Sequence, residues 1–185
     1  MSMQNISFRQ ATKADALFVA LVMMEAVGIP MMENGDVPGE ELVSICLRED
    51  TLYSYKNATI AEIDGEPVAG LIAYNGKGYH QIKEHTFSLV KADLGFNPME
   101  MDDETKEGEY YLDSLAVMPS FRGHGIGRLM LEKGVDIARS QGLLPILACD
   151  PHNLSAYQLY SNIGFKKEGI LYIFGKNYLR MVFFP

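Results

Sequence analysis

The sequence predicts one α/β domain in which helices cover the faces of a mixed β-sheet. Segments with strand-like alternation and with helical spacing follow one another as strand, two helices, hairpin, strand, helix, strand, helix and two strands. The length of 185 residues suits a single core. The content of 48% hydrophobic and 22% charged residues is typical of a folded globular protein. With no internal repeat and no linker, we expect residues 1–185 to form that one domain.

The chain begins with a strand and a helix. Residues 5–9 alternate polar and apolar side chains. Thr12 and Asp15 then form an N-cap signature, which predicts a helix from about Lys13. Gly28 and Pro30 are expected to end this helix.

A shorter helix and a hairpin follow. The turn-rich residues 31–39 precede a helical pattern from Glu40 to Arg48. Residues 57–74 predict a hairpin, because two β-branched and apolar runs flank Asp64 and Gly65, a pair typical of a two-residue turn.

Residues 75–108 predict a long insertion without regular structure, which becomes acidic towards its end. The acidic residues there are Glu100, Asp102, Asp103, Glu104 and Glu107. A loop of this length in a compact domain is usually functional or partly structured. Two interpretations stay open, a solvated acidic face and a flap over a functional site.

The second half alternates strands and helices. Strands are predicted over residues 109–117, 145–150, 165–173 and 177–184. One helix follows the glycine-rich loop up to Gly142, and another covers 153–162 and ends at Gly164.

Composition excludes several classes of function. The formal charge of −8 disfavours a nucleic-acid surface, which needs clustered Lys and Arg. The longest apolar run, residues 16–24, is well short of the roughly 20 residues of a membrane span, and no secretory signal is visible. Cys46 and Cys149 lack ligand spacing and are expected to be buried, and the histidines predict no metal site. We therefore expect a cytoplasmic protein.

The stretch FRGHGIGRLML, residues 121–131, predicts an anion site at the start of a helix. Glycines let a ligand approach the backbone, and helix N-termini stabilise phosphate oxygens. A P-loop is excluded because Arg128 and Leu129 stand where Lys-Ser or Lys-Thr is needed. A dinucleotide fingerprint is disfavoured because Arg128 replaces its third glycine and residues 119–121 separate the loop from its strand.

The remaining frame is Arg122-x-x-Gly125-x-Gly127, which resembles the acyl-CoA signature R/Q-x-x-G-x-G/A of the GNAT superfamily of N-acyltransferases. Residues 153–165, NLSAYQLYSNIGF, resemble that family's block N-x-x-A-x-x-L-Y-x-x-x-G-F. The two motifs cover residues 112–165 in the family's order. The resemblance implies a central, mostly antiparallel sheet flanked by helices, with a V-shaped opening between its two central strands.

The resemblance also implies acetyl-CoA as co-substrate, with no metal. The implied cofactor-binding residues are Leu115, Ala116 and Val117 for the pantetheine arm, the loop Arg122, Gly123, His124, Gly125, Ile126, Gly127 and Arg128 for the pyrophosphate, and Asn153 and Tyr160 on the following helix. Asn153 is either a helix cap alone or a cap that also contacts pantetheine.

The implied activity is N-acetyltransfer to a primary amine by direct attack in a ternary complex. Tyr160 is the implied acid that protonates the departing thiolate; otherwise it is a half-buried aromatic. Asp113 and Glu109, on one face of a strand, are the candidate bases, each also readable as a capping or pairing carboxylate. The alternative function is a non-catalytic acyl-CoA sensor that acts through a partner protein.

The partner predicted for this activity is an amine acceptor, which the sequence does not identify. The acidic insertion indicates a cationic amine, and neither nucleic acid nor a membrane is expected. The apolar segment 181–184 is interpreted either as a homodimer contact or as an internal strand.

Overall fold

The computed structural model describes residues 6–91 and 94–184. The strands are β1 Ile6–Gln10, β2 Ala58–Ile63, β3 Glu66–Asn75, β4 Glu109–Val117, β5 Leu144–Cys149, β6 Phe165–Ile173 and β7 Lys176–Phe183. The helices are α1 Ala16–Ala26, α2 Met31–Asn34, α3 Glu40–Leu47, α4 Tyr79–Ser88, α5 Ile126–Ser140 and α6 Leu154–Ile163. Asn5, the first residue of the predicted N-terminal strand, lies outside the described residues.

The strands form one seven-stranded sheet in the order β1-β2-β3-β4-β5-β7-β6. The pairs β1–β2, β2–β3, β5–β7 and β6–β7 are antiparallel, whereas β4–β5 is parallel. The predicted fold class, a mixed and mostly antiparallel sheet flanked by helices, is therefore confirmed.

The two central strands share a short ladder. Among the described residues, β4 and β5 pair from Glu109–Leu144 to Tyr111–Ile146, so the ladder involves the first third of β4. A V-shaped opening beyond Tyr111 stays a prediction, which the shortness of this ladder supports.

Contacts divide the chain into two compact units. The first comprises the described residues of 1–73 together with 114–131, and the second the described residues of 74–113 together with 132–185. The expectation that residues 1–185 form one domain stays a prediction.

In the first unit, the predicted N-cap signature organises the entry into α1. Asp15 accepts hydrogen bonds from the Thr12 backbone N–H at 2.7 Å and from both terminal nitrogens of Arg9 at 2.8 Å. A short 3₁₀ turn, Lys13–Asp15, precedes α1, so the helix begins slightly later than predicted. Gly70 of β3 allows α1 to lie close, because a Cβ at that position would stand 2.6 Å from Val22 Cγ2.

The predicted hairpin is confirmed in its turn as well as in its strands. Asp64 and Gly65 have φ values of 54° and 84°, the left-handed pair that a type I′ turn requires. α2 was not predicted, since it is a four-residue helix within the turn-rich segment 31–39.

In the second unit, the insertion is partly structured, although its helix was not located from the sequence. It contains α4 and a 3₁₀ turn at Pro98–Glu100, and Met101, Glu104 and Thr105 are buried. The solvated acidic face is therefore wrong for Glu104. The helical pattern of α4 was missed because polar side chains, Lys83 and Thr86, face inwards where apolar ones were sought.

Phe96 and Met101 of the insertion pack against the β6–β7 hairpin. Met101, Leu171 and Ile173 form a buried cluster, and among the residues against it are Phe87, Phe96 and Phe174. Residues 92–93 of the insertion lie outside the described part of the chain.

Both cysteines, Cys46 and Cys149, are free and buried, as predicted.

No helix within the described part of the chain has the length and apolar character needed to cross a bilayer.

Candidate active site

The glycine loop has the geometry of an open backbone turn. Gly123 and Gly125 have φ values of 76° and 80°, and a Cβ at either position would have no atom of the described residues within 4 Å, apart from those of its two neighbours in the chain. α5 begins directly afterwards, and the Leu129 N–H donates to the Gly125 carbonyl at 3.2 Å. The loop therefore leaves room beside the first turn of a 15-residue helix, whose first N–H groups lack intrahelical partners.

Gly127 fixes the approach of this helix to the preceding strand. A Cβ at Gly127 would lie 3.7 Å from Val117 Cγ2 and 4.0 Å from Leu115 Cδ2. The first unit thus brings the predicted pyrophosphate loop next to two of the three β4 residues predicted for pantetheine. Ala116, the third, is buried between them along the strand.

Arg122 is held by the protein itself. Its Nε donates to the Val117 carbonyl at 2.9 Å, one terminal nitrogen lies 3.0 Å from Glu25 Oε2, and the other pairs with Glu33. The guanidinium therefore ties the loop to α1 and α2. Its contact with phosphate stays a prediction, as does that of His124, whose Nδ1 lies 2.8 Å from the Arg122 carbonyl oxygen.

Asn153 caps α6, as both interpretations predicted. Its side-chain oxygen accepts from the Ala156 N–H at 3.1 Å and from the Ser155 hydroxyl at 3.1 Å. The amide nitrogen is left to serve other partners, so a pantetheine contact in addition to the cap stays a prediction.

Tyr160, on the same helix, is half-buried and packs edge-on against Phe165 with ring centroids 6.4 Å apart. Burial, with a smaller contribution from Cys149, raises the pKa of Tyr160 to about 12. The phenol therefore keeps its proton throughout the physiological range, as a proton donor must.

Glu109, one candidate base, is engaged in structural contacts. Its carboxylate accepts from Arg180 Nη2 at 2.7 Å, from the Lys106 backbone N–H at 3.1 Å and from the Thr105 hydroxyl at 3.2 Å. These three donors, and Arg180 in particular, give Glu109 a role in holding the local structure, and its role as a base stays a prediction.

Asp113, the other candidate, is half-buried on β4 and accepts a 2.5 Å hydrogen bond from the Tyr74 hydroxyl. Tyr74 packs against two more tyrosines, stacked on Tyr79 and edge-on to Tyr111. Asp113 thus lies at the border of a tyrosine-rich interior.

Within that interior lies Glu104, a residue that the sequence analysis did not select. Its side chain accepts from the Tyr79 hydroxyl at 2.7 Å and from the Tyr111 hydroxyl at 2.5 Å, and the residue is 4% exposed. Met101 and Thr105 could have indicated this in the sequence. An apolar and a β-branched residue within an acidic segment suggest that part of the segment is buried.

Burial, and next the charge of Asp113, raise the pKa of Glu104 to about 7. The hydrogen bonds from Tyr111 and Tyr79 and the charge of Lys83 act in the opposite direction. A carboxyl group that titrates close to neutrality is typical of proton-transfer sites.

Metal ligands do not assemble here: within residues 6–91 and 94–184, no three His, Cys, Asp or Glu side chains come together as a metal site. The predicted absence of a metal nevertheless stays a prediction.

Comparison with known proteins identifies the family. A model of the acetyltransferase (GNAT) family matches residues 31–165, which include both motifs. The chain therefore belongs to the GNAT family of acetyltransferases, as the resemblance implied.

Individual proteins support this assignment. The chain is 31% identical over 77 residues to an N-alpha-acetyltransferase RimI of Mycobacterium tuberculosis, a match covering 42% of this chain and 48% of that protein. The chain thus matches about half the length of this curated relative.

Two solved structures share the fold over nearly the whole chain. A crystal structure described as an acetyltransferase has a TM-score of 0.72 and 26% identity, covering 96% of this chain and 98% of its own. An N-acetyltransferase from Staphylococcus aureus Mu50 also has a TM-score of 0.72, at 19% identity, with 95% and 99% covered.

Proposed function

We propose that this protein is an N-acetyltransferase that moves the acetyl group of acetyl-CoA directly to a primary amine in a ternary complex. The observation that carries the proposal is the open loop at the start of α5, in a chain that belongs to the acetyltransferase family. Acetyl-CoA supplies an activated thioester carbonyl, and the chain has to bind it, deprotonate the amine and protonate the leaving sulfur.

The loop fits the phosphate groups of CoA. Two glycines in left-handed conformations turn the backbone so that N–H groups meet an anion at the positive end of the helix dipole. No side chain stands within 4 Å of the Cβ positions at Gly123 and Gly125, so a bulky diphosphate can approach. Leu115 and Val117 of β4, beside the loop, offer main-chain groups for the pantetheine arm.

Proton transfer is assigned to two side chains. A lysine-like amine has a pKa of about 10.4 and must lose a proton before it can attack. Asp113, half-buried on β4 and hydrogen-bonded by the Tyr74 hydroxyl, takes that proton. Tyr160, whose phenol stays protonated, donates to the leaving sulfur.

The acceptor belongs to the cationic amines, because the net charge of −8 attracts them. Peptide α-amines deserve a place among the candidates, since the curated relative is an N-alpha-acetyltransferase. Polyamines, aminoglycosides, lysine side chains and free amino acids complete the panel.

The test is thiol release from acetyl-CoA measured against this panel of amines. We expect at least one amine to accelerate thiol release well above the rate with buffer alone, and mass spectrometry to find that amine acetylated. Tight CoA binding with no turnover on any amine would instead favour the non-catalytic sensor.

A charge placed in the loop tests the binding assignment. Gly125→Glu should abolish CoA binding in calorimetry, because the carboxylate repels the pyrophosphate and crowds its site. Gly65→Glu is the matched control: Gly65 also has a positive φ and open space around its Cβ position, but lies in the β2–β3 turn. Equal CoA affinity of the two variants would contradict the loop assignment.

A further inference from the structure

Two carboxyl groups and three phenols form a connected cluster in the second unit. Asp113 accepts from Tyr74 at 2.5 Å, while Glu104 accepts from Tyr79 at 2.7 Å and from Tyr111 at 2.5 Å. The Tyr74 ring contacts the other two rings, with its centroid 5.9 Å from that of Tyr111 and 6.2 Å from that of Tyr79. We call Glu104 and Asp113 the carboxyl pair.

Lys83 is the cation whose charge acts on Glu104. Lys83 of α4 is 1% exposed and its Nζ lies 5.8 Å from the centre of the Tyr79 ring. Its charge is already shared, because Nζ lies 2.7 Å from Asp103 Oδ1 and donates to the Met101 carbonyl at 3.0 Å. Lys83 therefore neutralises Asp103 first, and the carboxyl pair second.

Two carboxylates that interact in a buried setting do not ionise independently. Desolvation and mutual repulsion favour one retained proton, which the pair releases at a higher pH than an isolated carboxyl group would. The phenols and Lys83 limit this effect, since they stabilise the negative charge on Glu104. The balance leaves a site that can gain or lose one proton near neutral pH.

We propose that the carboxyl pair is the proton acceptor for the amine, with Asp113 receiving the proton and Glu104 acting as a positioning residue that keeps Asp113 basic. The proposal rests on the proposed acetyltransfer function and adds a residue that the motifs do not contain. Asp113 is the half-buried member, two residues before Leu115 on the same face of β4. Glu104 is the buried member, and the Tyr79 and Tyr111 hydroxyls donate hydrogen bonds to its carboxylate.

The protons balance as follows. The protonated amine gives one proton to the Asp113 carboxylate, and the pair later releases it to water. The nitrogen loses its second proton as the new amide forms, and Tyr160 regains this proton after giving its own to the sulfur. One proton is therefore released to solvent for each amide bond formed.

The kinetic test follows kcat/KM against pH with the best amine of the panel. Glu104→Gln keeps the size and the acceptor oxygen but removes the charge, so the acid limb of the profile should move to lower pH by about one unit or more. Affinity for CoA should stay unchanged. Asp113→Asn should lower kcat by about 10²- to 10⁴-fold.

Two further variants separate this role from a structural one. Tyr79→Phe removes a donor that stabilises the Glu104 anion, so the acid limb should move in the opposite direction, to higher pH. Glu107→Gln is the matched control in the same segment, because Glu107 is exposed and pairs with Lys77. It should leave the profile unchanged. A uniform loss of rate in Glu104→Gln, with the limb unmoved, would overturn the proposal.

Infrared spectroscopy tests the pair without any substrate. The wild type should keep a protonated carboxyl band up to near-neutral pH, and Glu104→Gln should lose that band at lower pH. Absence of the band would refute the pair, and its presence with unaltered kinetics would refute the catalytic role. If no amine supports turnover, the proposed function fails, and this measurement still decides whether the pair exists.

Discussion

At the scale of single residues, two of the motif positions make contacts that hold the protein together, in addition to the binding roles that we propose for them. Asn153 caps α6, and Arg122 joins the glycine loop to Glu25 and Glu33. Tyr160 differs from these two in that burial leaves its phenol protonated up to a pKa of about 12. A group in that state is suited to donate a proton.

Tyr160→Phe tests this assignment. The substitution keeps the ring that packs against Phe165 but removes the proton, so we expect kcat to fall by about 10²- to 10⁴-fold. The Kd of CoA, measured by calorimetry, should change little.

Tyr157→Phe is the control, because Tyr157 is an exposed tyrosine on the same helix. If Tyr160→Phe reduced kcat and CoA affinity to the same degree, the acid role would be contradicted.

At the scale of elements, one carboxylate joins β1 to the start of α1. Asp15 accepts two hydrogen bonds from Arg9 and one from the Thr12 backbone, and Arg9 also reaches Glu62 of β2 at 2.6 Å. The Arg9 hydrogen bonds hold the pKa of Asp15 well below its usual range. A depressed carboxyl pKa stabilises the fold above the unfolded-state pKa, and this stabilisation is lost as the pH falls.

Asp15→Asn should therefore destabilise the protein at pH 7 by about 1–2 kcal/mol, after allowance for the partial exposure of Arg9. In a chain of this size that corresponds to a lower Tm by roughly 2–8 °C. The difference from wild type should shrink at pH 3, where the unfolded chain already holds the proton. Circular dichroism melts at both pH values provide the measurement.

Asp136→Asn, on the exposed side of α5, serves as the control and should leave Tm nearly unchanged at both pH values. A deficit in Asp15→Asn that is as large at pH 3 as at pH 7 would count against the ion pair as its cause.

At the scale of the whole molecule, the dependence of stability on pH is set in part by carboxyl groups whose pKa values shift in opposite directions on folding. Asp15 and Asp150 have pKa values lowered by hydrogen bonds from Arg9 and Lys176, so stability rises as the pH leaves the acid range. Glu104 acts in the opposite sense, because its folded-state pKa is raised. Its proton is held more tightly by the folded protein, so this contribution is present at low pH and fades as the pH rises.

We expect the contribution of Glu104 to lower Tm as the pH rises from about 4.3 to about 7. The lower limit is the ordinary pKa of a glutamate, and the upper limit is the raised pKa of Glu104 in the folded protein. Glu104→Gln should flatten this decline, because the amide does not titrate. Thermal melts at half-unit pH intervals provide the measurement.

Glu107→Gln removes the same formal charge from the exposed surface and controls for the general repulsion within an acidic chain. An equal flattening in both variants would show that net charge, and not the buried group, causes the decline.

Most strands and helices, and the position of the glycine loop before α5, could be predicted from sequence. The β2–β3 turn needs two residues with positive φ, which Asp64 and Gly65 provide by themselves. The glycine loop before α5 is local in the same way. Such signals are readable because a few neighbouring residues determine backbone conformation and periodicity.

The buried half of the site was not readable for the opposite reason. Lys83 and Glu104 are polar residues that become interior through partners remote in the chain, and the hydrogen bond from Tyr74 to Asp113 joins residues 39 positions apart. α4 was missed with them, since its inward face is partly polar.

The amino-acid sequence by itself determined the family, the order of the strands and of helices α1, α3, α5 and α6, and the loop at which we propose that CoA binds. Tertiary structure alone decided which acidic residues are solvated and which are enclosed, and hence which carboxyl groups interact. The physical reason is that the cost of burying a charge depends on the donors and charges around it, and distant segments supply these only when the chain has folded.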